Sequence, residues 1–418
     1  MRNRMSRTLL LLAATILALP ALSRQIHTIR IDPSRTFGGT VSEYFEHVDY
    51  IPLETTKNSL FGAPNWLIVT DSSIVIGDRD TWHLLFFSSE GKFIVKHPLP
   101  KEARDFSQKL IIEKDIRTND IVVTCFPHNT GVGEVQAYTA RGLLKKRERP
   151  RFQNGEAFTR IYFEAGQYAL NMVKYLRPNG KLPADMIPLI KVYDTNGRFI
   201  KNLFSLAPAD NPFAFTFAGG ISVSQIQEIN SGYFVVPFDY RLYKVTKDTV
   251  TLLGKFIFPA KNVLPVTDFS DYRKFDSLSR LKNSDFNLVQ TVKNVSVFRN
   301  KILFTLQKRV TLVPSGGVIF DPLNFMFDTE KNELMSFERV VPDSLSYYLP
   351  IMDGFSSTSG MNLHNGCLYS SISSLNMFTA FEKVKSKNPA FPPALLTYFE
   401  TQTRESNPVI VKMRMKGY

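Results

Sequence analysis

The chain has 418 residues, of which 44% are hydrophobic and 21% charged, with a formal net charge of +13 and two cysteines. That composition is ample for a large core and excludes both a disordered chain and a small disulfide-stapled scaffold. The basic balance points to an acidic partner or to a solvated basic face such as Lys145-Lys146-Arg147-Glu148-Arg149; nucleic acid is not expected, because the chain reads as exported and no recognition motif accompanies the charge.

Arg2, Arg4 and Arg7 precede the apolar run Leu9–Leu19, followed by Pro20 and Ala21-Leu22-Ser23. A basic start, a short apolar stretch and small residues before the cut make a secretory signal peptide over residues 1–23, with one domain over 24–418. The leader's three arginines, taken from +13, leave +10 on the mature chain. An apolar run of eleven residues is too short to span roughly 30 Å of hydrocarbon, and no later stretch reads as a transmembrane segment. Cys125 and Cys367 are the only cysteines, so none is placed for an N-terminal lipid anchor. Export to the periplasm or the exterior is expected. Whether the two cysteines pair is open, because sequence does not set their geometry.

Next in order come two strand-like runs without a hairpin partner, Ile29-Arg30-Ile31 and Val48–Leu53. Then Trp66–Asp78 sets a pattern: a short apolar strand, a turn at Asp71-Ser72-Ser73, and a second apolar strand. The pattern recurs with turns at Thr118, Gly166, Ser231, Asn300 and Asn365, spaced 46, 48, 65, 69 and 65 residues from one to the next. Asn-Gly and Ser-Gly supply the positive φ of tight hairpins. A second hairpin follows each of the first five. A period near 45 residues with four short strands is the signature of a propeller blade. The expected fold is all-β: a six-bladed β-propeller of four-stranded antiparallel blades with short helical insertions. The sixth blade lacks a strand, because Phe391–Glu405 reads as a proline-started helix and only Val409–Met413 follows it. Val48–Leu53 is expected to supply that strand and close the ring. Insertions are expected at Leu176–Met186, Leu206–Gly219, Phe258–Leu288 and Gln307–Gly317, with a short helix over Asp268–Leu281.

The strand pattern, the stretch Asp49-Tyr50-Ile51-Pro52-Leu53-Glu54-Thr55-Thr56 and the closing Asn407-Pro408-Val409-Ile410-Val411 resemble the exported six-bladed β-propeller family of Gram-negative bacteria, related to NHL-like and TolB-like propellers. Many relatives look like lipoproteins, and this chain departs from them in lacking the anchoring Cys. The resemblance implies a fold and a cell-envelope location and names no activity.

Local motifs for chemistry are weak. No two of the six histidines stand at metal-ligand spacing. Gly354–Gly360 is not a nucleophile elbow, His128–Gly133 lacks the Lys-Ser/Thr of a phosphate loop, and Asp78-Arg79-Asp80 holds only part of a calcium loop. His364 sits in a hairpin turn, where a structural role is the ordinary one. In a propeller, the loops joining strand two to strand three share a face with the blade-to-blade connections, and ligands gather there over the axis. On that reasoning the expected ligand-binding residues are Asp78, Arg79, Asp80, Trp82, His128, Asp239, Tyr240, Arg241 and Arg309. No catalytic or metal residue is expected, although the axis leaves room for a divalent cation such as Ca²⁺. The expected function is an exported binding or scaffolding propeller for a peptide, a glycan or an envelope protein. The alternative is a propeller hydrolase or lyase with an axial divalent cation. The oligomeric state is open.

Overall fold

Apolar runs of four to eight residues, broken by Asn, Asp, Ser or Gly, are too short for helices and pair with their neighbours as hairpins. In the computed structural model, which describes residues 27–101, 109–126, 131–152, 156–163, 167–174, 185–194, 196–208, 210–211, 215, 223–224, 230–263, 288–312, 318–353 and 361–417, they form six blades around an axis. The signal peptide, the Asp268–Leu281 helix and the Gly354–Gly360 loop lie outside the described residues.

Blade one is Trp66–Val69, Ser73–Asp78, His83–Ser88 and Phe93–Pro98, running from the axis outward. Blade two is Lys109–Asp115, Asp120–Phe126, Glu134–Tyr138 and Leu144–Glu148. Blade three is Glu156–Tyr162, Tyr168–Lys174, Ile187–Tyr193 and Phe199–Leu206. In blade four, Ser224 bridges Tyr233 at the inner position, followed by Ser231–Val235, Arg241–Thr246 and Val250–Ile257. Blade five is Leu288–Phe298, Lys301–Leu312, Val318–Asp328 and Glu333–Val341. Blade six is Asn362–His364, Cys367–Ile372 and Val409–Met415, completed by Phe45–Pro52. Its inner hairpin turns on Asn365 and Gly366, with φ of 45° and 72°, as a two-residue hairpin requires.

The N-terminal strand therefore closes the ring as expected. It pairs antiparallel from Val409↔Pro52 to Met415↔Phe45. Phe45, Val48, Tyr50 and Leu53 are buried there. Asn407, fully buried, clasps the seam: its Nδ2 donates to the Glu54 carbonyl at 2.8 Å and the Ser59 carbonyl at 3.0 Å, and its Oδ1 accepts from the Phe61 amide at 3.2 Å. The two terminal stretches that carry the family resemblance thus touch each other.

The arm leading to the seam does more than the hairpin pattern suggested. The Ile29-Arg30-Ile31 run falls on a strand, His27–Arg30, that adds parallel to the outer strand of blade four. Phe37–Thr40 adds parallel to the outer strand of blade five, and one helical turn, α1 (Val41–Tyr44), leads into Phe45–Pro52. The arm therefore crosses the outer edges of three successive blades.

Two insertions differ from expectation. Gln307–Leu312 is not a loop; strand two of blade five runs on through it and pairs Leu312 with Val318. Between strands two and three of blade six stand two helices, α2 (Ser374–Val384) and α3 (Pro393–Thr401). Helix α3 begins at its proline as expected. Helix α2, capped by Ser373 on the Asn376 amide, was not read from the sequence. The pair packs through Phe381 and Phe399, stacked at 4.1 Å between centroids.

Cys125 and Cys367 are buried and not bonded to each other, one in blade two and one in blade six. The basic patch on blade two is neutralised locally: Lys145 pairs with Asp120 at 2.6 Å, Lys146 with Glu148 at 2.7 Å, and Arg147 with Glu134 at 2.9 Å.

Candidate functional site: the axial channel

The inner strand of each blade lines the axis, so its side chains decide what the channel offers. The channel holds a cavity of about 360 Å³ to which every blade contributes: Trp66, Lys114, Arg160, Ser224, Asn294 and His364, in blade order. A bulge in the inner strand of blade five places Asn294 in left-handed backbone, φ 53°.

Strand alternation explains the charge at the axis. Along Lys109–Asp115, Leu110 and Ile112 pack with Trp66 and Ile68 of blade one. Lys114 continues that face past the end of the apolar core. Its Nζ donates to the Val69 carbonyl at 2.9 Å and reaches His364 Nδ1 of blade six at 3.2 Å. The opposite face carries Glu113, which pairs with Arg160 of blade three at 3.1 Å. Asp115 holds Arg117 at 2.7 Å, and that guanidinium lies 4.5 Å over the Tyr162 ring.

A second shared residue is Asp71, in the hairpin turn of blade one. Its Oδ1 is 2.9 Å from His364 Nε2, and its carboxylate accepts from Asn365 at 3.0 Å and Asn119 at 2.7 Å. Blades six, one and two therefore meet in one chain: Asp71 carboxylate, His364 imidazole, Lys114 amine. Because Asp71 accepts at Nε2, that nitrogen carries the proton, and Nδ1 offers its lone pair to Lys114.

Burial pushes the Lys114 amine down to about 8, with Asp71 acting against it. Burial, and then the Lys114 charge, push His364 below its usual value, so the imidazole is neutral near pH 7. Partial desolvation raises Asp71, but hydrogen bonds from Asn365, His364 and Asn119 outweigh it and hold the carboxyl below the usual range. Burial pushes the Glu113 carboxyl up against the pull of Arg160. A second cavity of about 260 Å³ lies between blades one and six, and Val69 and His364 line both.

The residues expected from the loops lie elsewhere. Asp78, Arg79, Asp80 and Trp82 share the loop between strands two and three of blade one. The buried Asp78 carboxylate organises that loop, accepting from the amides of Gly62, Asp80 and Thr81 and from the Thr81 hydroxyl. Trp82 sits at φ 62°, and its indole N–H donates to the Pro100 carbonyl at 3.0 Å. Arg79 alone leans toward the axis, 4.8 Å over the Trp66 ring. Asp239, Tyr240 and Arg241 lie three blades away. Asp239 pairs with Arg241 at 2.6 Å, while the buried Tyr240 donates to the Val289 carbonyl at 2.6 Å and locks blade four to blade five. Arg309 stands within strand two of blade five, opposite Leu288 and Phe320, rather than in a loop. His128 lies outside the described residues. Among the described residues, no three His, Cys, Asp or Glu side chains converge as a metal site.

A model of the family described as 6-bladed beta-propeller matches residues 23–97, which span the N-terminal arm, the closing strand and blade one. Among solved structures, a candidate exported protein from Bacteroides fragilis shares 13% identity over 93% of this chain and 100% of its own, with a TM-score of 0.57. A Bacteroides vulgatus protein shares 9% identity over 89% and 99%, with a TM-score of 0.44. A luciferin-regenerating enzyme shares 10% over 89% and 97%, with a TM-score of 0.34. The last two likenesses carry no argument about activity. No curated protein matches the chain. With its six blades, its closing N-terminal strand and the family match over its first blade, the chain is a six-bladed β-propeller, alike in fold to the Bacteroides fragilis protein.

Proposed function

We propose that the protein is an exported binding propeller of the cell envelope, and that its axial channel seats an acidic group of a peptide, glycan or protein ligand. The observation that carries this reading is the Lys114 amine. It lines the cavity and gives one N–H to the Val69 carbonyl and one to His364, and among the described residues no other partner takes its third N–H. The volume of about 360 Å³ falls within the roughly 300–1,000 Å³ of small-ligand pockets. Glu113 and Arg160 offset each other, so Lys114 sets the sign of the lining. A lysine, an arginine and a neutral histidine beside one carboxylate suit an anion better than a hard divalent cation, which takes six or more oxygen ligands.

The test is calorimetric titration with two probes, oligogalacturonate and an acidic peptide, each beside its neutral counterpart. At least one acidic probe is expected to bind, and Lys114→Met to weaken it at least about ten-fold, the scale of one lost charge-assisted hydrogen bond. Binding unchanged in Lys114→Met would place the ligand elsewhere.

A further inference from the structure

We propose that Asp71, His364 and Lys114 form an orienter–base–nucleophile set, and that Lys114 condenses with the carbonyl group of an aldehyde or ketone ligand held in the channel to form an imine. The inference rests on the channel being the ligand seat and adds the chemical class of what reacts there. A nucleophile within hydrogen-bond reach of a base that a third group orients is the arrangement that activates a weak nucleophile. Each part is present: Lys114 Nζ is 3.2 Å from His364 Nδ1, and His364 Nε2 is 2.9 Å from Asp71 Oδ1. The three come from blades two, six and one, and the amine faces the cavity rather than bulk solvent. Of the charged groups around the pair, Asp71 stabilises an imidazolium, while Lys412 of blade six opposes one.

The step balances without a co-reactant. The Lys114 ammonium passes a proton to His364 Nδ1, and Asp71 stabilises the imidazolium. The neutral amine attacks the carbonyl carbon, a C–N bond forms, and the carbonyl π pair moves to oxygen, which takes the proton back from His364. His364 then takes a proton from the carbinolamine nitrogen and hands it to that hydroxyl, water leaves, and the freed nitrogen lone pair closes the C=N bond as a protonated imine. The net reaction is ammonium plus carbonyl giving protonated imine plus water. An amine moved from 10.5 to about 8 holds about 300 times more neutral form at pH 7 than an ordinary lysine. Its lower basicity returns part of that gain.

Glyoxylate with sodium cyanoborohydride tests this directly, because reduction of the imine leaves a stable carboxymethyl group that peptide mapping locates. Lys114 is expected to be labelled at least about ten-fold faster than the exposed Lys92 and Lys331 at pH 7, with a rate that levels off above pH 8. His364→Gln and Asp71→Asn are expected to slow labelling at Lys114 and leave Lys92 and Lys331 unchanged. Asp71 is exposed at a turn, so Asp71→Asn keeps the test open should His364→Gln fold poorly. Labelling of Lys114 no faster than of the exposed lysines, or indifferent to both variants, overturns the inference. If oligogalacturonate or the acidic peptide still binds through Lys114 while labelling fails, the channel reading stands and the covalent step falls.

Discussion

The ring-closure seam and the axial channel both bury polar side chains among apolar strands, and they use them in opposite ways. At the seam the buried Asn407 and Tyr50 side chains bond to backbone. Asn407 spends two donors and an acceptor on the chain it clasps, and the Tyr50 hydroxyl lies within 3.2 Å of the carbonyls of Ser346, Leu349 and Pro350. In the channel, the polar groups face one another across blades, and Lys114 and His364 are moved from their usual proton affinities. Buried polar groups that are satisfied by backbone hold a fold together, whereas buried titratable groups held in an open cavity are available for chemistry.

The comparison breaks first at the seam. Deleting Tyr44–Thr56 removes the outer strand of blade six together with the buried Phe45, Val48, Tyr50 and Leu53. Each such side chain contributes roughly 1.5–3 kcal/mol, so the sum rivals a whole domain's stability of about 5–15 kcal/mol. No cooperative thermal transition is expected by circular dichroism, and a melt like that of the full chain would refute closure by this strand.

The channel predicts an effect of pH on stability. The folded value for Lys114, about 8, lies below the ordinary 10.5, so burial penalises the charged amine in the folded state. The penalty is present while both states are protonated. It is relieved as pH rises from 8 to 10.5, where the folded state sheds its proton first. Relative to Lys114→Met, the native protein should gain up to about 3 kcal/mol across that window, read from urea midpoints at pH 7 and pH 10. A difference that stays flat with pH would mean that the amine is fully solvated.

Asn407→Ala sharpens the seam side. It deletes the clasp and strands two carbonyls and an amide, at an expected cost of about 2–3 kcal/mol by urea denaturation, with ligand binding intact in the folded fraction. The smallest effect belongs to the loop face. Arg241→Met breaks an ion pair whose arginine is half exposed, so it should cost below about 1 kcal/mol and leave binding to the channel unchanged. Loss of binding in Arg241→Met would restore the loop face as the ligand site.

The seam was legible in the sequence because it follows from local patterns and a count. Two-residue alternation and turns such as Asn365-Gly366 mark the hairpins, and five second hairpins for six first ones leave one strand to be found. His27–Arg30 and Phe37–Thr40 were not placed, because parallel addition to a distant edge leaves no turn signal. The channel was less legible still. Asp71, Lys114 and His364 sit in three hairpins spread over nearly 300 positions, and only the ring brings them together. The one local hint was Lys114 itself, a lysine continuing the buried face of Leu110 and Ile112. The loop residues chosen instead, Asp78 and Tyr240 among them, combine charge with aromatic rings and spend their polar atoms on their own loops or on the next blade.

The chain has two tryptophans, Trp66 in the channel wall and Trp82 in the loop of blade one, and they make the decisive measurement simple. In Trp82→Phe, Trp66 is the sole indole, and titration with the acidic probe that binds is followed by its fluorescence. A ligand seated at the axis should change the emission of Trp66 saturably, with the same midpoint as in the native chain, and Lys114→Met should raise that midpoint at least about ten-fold. A saturable response that survives in Trp66→Phe and vanishes in Trp82→Phe would place the ligand at the loop face and contradict the axial site.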